Sequence, residues 1–258
     1  MNSADQSGGW AKVGRFAGYL SAGALFVGTI LFLLDATDAL GAMNYHPAGR
    51  SPLQDEAGYW VAHFAHQRHI LWDVFTRDTL LPVAYLALMV LGLAVRRVVN
   101  ADRPATQLMV LFFVVGGTIS IVNDLIFLGA TEYWRVTGWS HVDPTRMVAV
   151  GRASEAIESL TRWPEAAGFA VLAVALVCLG TLCRSEQGLP ARLGPISYLE
   201  AALLVGVALA GVMQADTAFK IFGVATGAIV GPLVASWLGR HLGAARGASA
   251  AASVTAPT

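Results

Sequence analysis

Between Gly58 and Arg77 the chain reads GYWVAHFAHQRHILWDVFTR. Placed on a helix at 100° per residue, His63, His66, His69, Asp73 and Arg77 fall within one arc of about 120°. Trp60, Val61, Phe64, Leu71, Trp72 and Phe75 fall within the opposite arc. Imidazoles and carboxylates at spacings of three and four can pass protons, respond to pH, or simply form a wet helix face. His69 and Asp73 have the i,i+4 relation of a carboxylate that orients a histidine. Asp73 and Arg77 have the same spacing, which favours an ion pair. No HExxH and no Cys/His cluster accompanies them, so no metal is expected.

Asp124, in TISIVNDLIFLGA, stands inside an apolar block five or six residues from its outer end. A charge at that depth costs about 3 kcal/mol or more in hydrocarbon, so the group must be paired, protonated or facing a wet space. Asn123 beside it offers two donors. The readings open at this point are a polar clamp between helices, a ligand or proton site, and a membrane edge that lies deeper along the chain, so that Asp124 is outside the hydrocarbon. Glu155, Glu158, Arg162 and Glu165 follow at spacings of 3, 4 and 3, which puts them on one helix face, with Glu158 and Arg162 an i,i+4 pair. If this stripe, the first one and Asp124 face each other, they line an outward-opening vestibule with Asp35 and Asp38 at its rim. Glu200 is expected to reach the membrane interface or pair with Arg192. Asp216 and Lys220 have the spacing of a retinal-bearing helix but are expected in a short outer loop, so no retinal or other cofactor is implied.

The elements that must position these groups are legible in the composition. Hydrophobic residues are 55% of 258 and charged residues 13%, half the charged share of ordinary soluble domains, which is about 25%. The apolar residues gather into blocks of about 18–24, the length that crosses hydrocarbon. The expected fold is therefore all-α: an integral membrane bundle of six transmembrane helices, at about 16–35, 79–96, 106–129, 165–183, 196–213 and 221–239. Two short amphipathic helices join it on the extracytoplasmic side, one before the second span and one at about 144–162, started by Asp143-Pro144 and stopped by Pro164. Residues 1–11 and 242–258 are polar or low in complexity and are expected to be disordered. The loop over 36–56 carries turn residues Asn44, Pro47, Gly49 and Ser51-Pro52.

With the N-terminus inside, the cytoplasmic segments hold nine basic and three acidic residues and the remainder eight and fourteen. That asymmetry places both termini in the cytoplasm. Net charge is zero and only two of the basic residues are lysine, Lys12 and Lys220. The balance implies no nucleic-acid surface, and the arginine bias is that of a GC-rich bacterial genome. The expected location is a bacterial inner membrane, with its lipids as partners. Cys178 and Cys183 lie five apart on one helix and read as unpaired apolar packers. Gly223, Gly227 and Gly231 form a GxxxGxxxG ridge that lets another helix approach closely, inside the bundle or in a homo-oligomer.

Three stretches resemble a bacterial six-helix family known as domain of unknown function 4386. GRFAGYLSAGALFVG is similar to its opening into the first span. RHILWDVFTRDTLLPVAYLAL is similar to its Arg-then-Asp entrance to the second, matched by Arg68 and Asp73. LGTLCRSEQGLPARLGPISYL is similar to its Leu-Pro-x-x-Leu-Gly turn joining spans four and five. The resemblance implies the six-span topology and brings no activity with it.

The leading expectation is a transporter- or receptor-like protein whose outward-facing pocket binds a small molecule, lipid headgroup or proton. Asp73, Arg77, Asn123, Asp124, Glu158, Arg162, His66 and His69 would line it. One rival is a membrane-embedded acid–base or metal enzyme using Asp124 and Glu158 with His66 or His69. Another is an accessory subunit whose polar groups only hold helices together.

Overall fold

The computed structural model describes residues 3–45, 55–99, 103–137, 143–185 and 189–254. Pro47, Gly49, Ser51 and Pro52 lie outside the described residues, as does the side chain of Leu71. The described residues form helices and turns, with no strand among them. The helices are α1 (Ser3–Ala36), α2 (Glu56–His69), α3 (Leu71–Val99), α4 (Pro104–Thr137), α5 (Pro144–Ser185), α6 (Leu193–Val212), α7 (Asp216–Val224) and α8 (Gly231–Val254). A π-helical turn, Ala225–Val230, joins α7 to α8 without a break. Six stretches are long and apolar enough to cross a membrane, the last running from Asp216 to Leu242. The build is that of a multipass membrane protein. Large apolar side chains such as Phe16, Leu160, Trp163 and Ile221 stand exposed on its outside.

Several boundaries differ from the sequence reading. α1 takes in the polar lead from Ser3, and α8 runs on to Val254. The helix begun at Asp143 does not stop at Pro164 but continues as the fourth span, 42 residues in all. Asp143 does cap it, accepting a bond from the Thr145 N–H at 3.3 Å. Proline removes one backbone donor from a helix interior but does not oblige it to end, and Pro82 is likewise carried inside α3. Conversely, the stretch from Tyr59 to Arg77 is two helices. The chain breaks at Ile70, whose side chain is almost fully buried, so one unbroken polar stripe from His63 to Arg77 does not form. Asp216 and Lys220 lie in the first turns of α7 rather than in a loop, and the Lys220 ammonium donates to the Ala36 carbonyl at 3.4 Å.

The spans form a closed ring. α1 packs on α3, α3 on α4, α4 on α5, α5 on α6, α6 on the α7–α8 span, and α8 returns to α1. At the arginine-bearing end the ring is pinched shut. A Cβ on Gly18 of α1 would meet the Ala235 carbonyl at 2.5 Å and the Gly239 Cα at 2.7 Å, so only glycine lets these backbones touch. Leu91, Val95, Met109, Leu179, Leu182, Leu193 and Leu238 fill that end as one apolar core, which also takes in Cys183. Cys178 is partly buried against it, and both thiols are free.

Candidate functional site

Above that core the ring encloses a cavity of about 520 Å³ lined by residues of all six spans, within the size range of drug-like ligand sites. Its vertical extent follows from the helix rise of 1.5 Å per residue. Asp124, twenty residues beyond Pro104, stands about 30 Å above the arginine-bearing end of α4. Glu200, seven beyond Leu193, stands only about 10 Å above the same end of α6. Both line the one cavity.

Its upper part is built on ion pairs between elements. Arg77 of α3 donates from Nη1 to Asp35 Oδ2 of α1 at 3.0 Å and from Nε to Asp78 Oδ1 at 3.0 Å. Across the opening, Arg162 donates to Glu158 Oε1 at 2.9 Å, one turn apart on α5. His66 Nε2 of α2 stands 4.0 Å from Asp35 Oδ1. Asp124 faces the same space with its Oδ2 closed off from solvent and without a hydrogen-bond partner, as does the Oδ1 of its buried neighbour Asn123.

Of the eight residues singled out in the sequence, Arg77, Asn123, Asp124, Glu158 and Arg162 therefore share one cavity. The other three do not line it. Asp73 is fully buried in the first turn of α3, and neither carboxyl oxygen has a hydrogen-bond partner. The expected Asp73–Arg77 and His69–Asp73 pairs are absent: Arg77 is taken by Asp35 and Asp78, and His69 lies exposed on the far side of the Ile70 break. The break changes the angular register between His69 and Asp73, whereas Asp73 and Arg77 share α3 and are parted by the competing bonds of Arg77 to Asp35 and Asp78. Asp38 falls outside the lining, while Asp35 is within it. Among the described residues no group of three or more His, Cys, Asp or Glu is arranged to hold a metal ion.

Asp78, Glu165, Glu200, Asp216 and Tyr85 also line the cavity. Asp78 was hidden beside Arg77, whose partner was sought one helical turn earlier. Glu200 carried the same signal as Asp124, an acid inside an apolar block, but its place nearer the cytoplasmic end suggested an escape to the interface. It makes none: its residue is 4% exposed and Oε2 has no partner. The glycine ridge packs within the chain at two of its three positions. Gly227 sits against the Thr29 side chain and Gly231 beside Leu25 and Glu200, whereas Gly223 faces open space.

α2 closes over the N-terminal end of α5. Trp60 and Phe64 bury with Met147, and the Trp60 indole lies directly against Gly151, where no side chain would fit. Arg152 holds Glu56 with two bonds, Nε to Oε1 at 2.9 Å and Nη2 to Oε2 at 3.0 Å. These bonds hold the Glu56 carboxyl below its ordinary pKa. The His63 ring stacks on Tyr59 at 6.0 Å and meets Trp60 edge-on at 5.3 Å. Burial lowers its pKa, with Glu158 and Asp35 pulling the other way and His66 adding to the fall.

The chain has no match among protein-family models, curated proteins or solved structures.

Proposed function

We propose that this chain is a bacterial inner-membrane protein with both termini cytoplasmic, whose central cavity opens outward and binds a small molecule, in the manner of a transporter or receptor. The observation that supports it is the cavity itself: a space of ligand size bounded by six spans and lined by Asp124 and Glu200, each of which has one buried carboxyl oxygen without a partner. Polar groups that serve only to clamp helices are expected to satisfy one another. Asp35 and Arg77 do so, whereas Asp124 Oδ2 has no partner and Asp78, bonded to Arg77 through Oδ1, also keeps a buried Oδ2 without one. An acid–base enzyme using His66 or His69 has less support, because neither imidazole lines the space. We further propose membership of the family resembled in sequence.

Outward access is tested by replacing Cys178 and Cys183 with alanine, placing a single cysteine at Phe127, and treating intact cells with a membrane-impermeant thiol reagent. Labelling that Gly223→Trp suppresses is expected, since a side chain at Gly223 enters open space. A Phe127→Cys variant that reacts only after the cells are opened refutes the outward-facing arrangement.

A further inference from the structure

The cavity's chemistry is lopsided. Seven acidic side chains and two basic ones line it, and both arginines are engaged: Arg77 by Asp35 and Asp78, Arg162 by Glu158. Asp124, Glu165, Glu200 and Asp216 have no ion pair among the described residues. A ligand anion would meet uncompensated acids, and a ligand cation would relieve them. Much of the remaining wall is apolar, and Phe113, Phe127, Phe169 and Phe219 are among the lining, aromatic side chains of the kind that attract organic cations.

The floor is more specific. Glu200 is 96% removed from solvent by its 4% exposure, and its Oε2 has no hydrogen-bond partner. Facing it is the π-helical turn Ala225–Val230, a distortion that recurs at functional sites. The Thr226 hydroxyl in that turn is also closed off from solvent and unpartnered, and Thr226 lines the same cavity. The absence of a side chain at Gly231 keeps the carboxyl in place, since a Cβ there would lie 3.0 Å from Glu200 Oε1 and 2.7 Å from the Thr226 carbonyl. A carboxyl group with one oxygen closed off from water and left without a protein partner is stabilised by a proton or by a positive charge brought to its other oxygen.

We infer that the cavity takes an amphiphilic organic cation, its charged head against Glu200 beside Thr226 and its apolar body between the phenylalanines. This rests on the reading that the cavity admits a ligand, and it names the class.

The test is equilibrium dialysis of the purified full-length protein in detergent against tetraphenylphosphonium, with tetraphenylborate as a probe of like shape and opposite charge. The protein is expected to retain the cation and not the anion. Glu200→Gln, which keeps the shape and removes the charge, should weaken cation binding at least about tenfold. Thr226→Val should weaken it less, and Gly223→Trp should abolish it. Retention of the anion as firmly as the cation, or of neither, overturns the inference. Cation binding blocked by Gly223→Trp but untouched by Glu200→Gln overturns the role of Glu200 and leaves the ligand cavity standing. Cation binding that neither change affects removes both.

Discussion

Arg77 reaches across 42 positions of chain to Asp35, its Nη1 donating to Oδ2 at 3.0 Å while its Nε donates to Asp78 at the same distance. One guanidinium thus ties the first span to the next and is shared by two acids at the upper wall of the cavity. All three side chains are less than a third exposed, so water does little to replace the arginine.

Removing that cation should cost more than a surface pair would. Arg77→Ala leaves Asp35 and Asp78 without counter-charge and is expected to destabilise the protein by about 3 kcal/mol. Thermal unfolding of the purified protein in detergent reads this as a lower Tm. The triple change Arg77→Ala, Asp35→Asn, Asp78→Asn should recover most of the loss, since no buried charge is then left over. An unchanged Tm for the single variant contradicts the bridging role.

Docking of α2 should weaken on acidification, in two stages. His63 has a lowered pKa in the folded chain, so its neutral form is favoured. The stability it contributes is complete above the ordinary value of 6.5 and drains away as pH falls below it. Glu56 has a lowered pKa through Arg152, so its share is complete above 4.5 and is lost as pH falls further. Hydrogen exchange of α2 amides across pH, corrected for the intrinsic rate, follows both stages. Glu56→Gln should erase the lower one and His63→Gln the upper one. Protection that rises on acidification runs against the assigned signs.

Asp124 separates binding from clamping. Its Oδ2 has no partner to lose, so Asp124→Asn should leave stability within about 0.5 kcal/mol of the parent, while weakening whatever the cavity binds. A Tm lowered by many degrees would show that the carboxylate holds helices together.

How far the chain could be read depended on where each cause lies. Asp124 and the Glu158–Arg162 pair were legible because a charge in an apolar block, or one turn from its opposite, carries its own warrant. Pairing of Arg77 with Asp35 was not, because nothing local says which of the rim acids an arginine will meet once helices pack. The break at Ile70 has no glycine or proline to announce it, and its visible correlate is the burial of one isoleucine. Pro164 misled in the other direction, marking an end where the helix tolerates the missing donor. Glu200 was visible as a residue and misjudged as an environment, since depth along a span says nothing about which side of it faces a void.

The contact of Gly18 with Gly239 joins the first of the six spans to the sixth. No enclosed chamber exists until the sixth span has joined the first, and up to that moment the flank between α1 and α6, which carry Asp35 and Glu200, stands open. Any product that stops short of the sixth span is therefore an open arc rather than a smaller vessel, and whatever the protein holds can be gathered only once that span is in place.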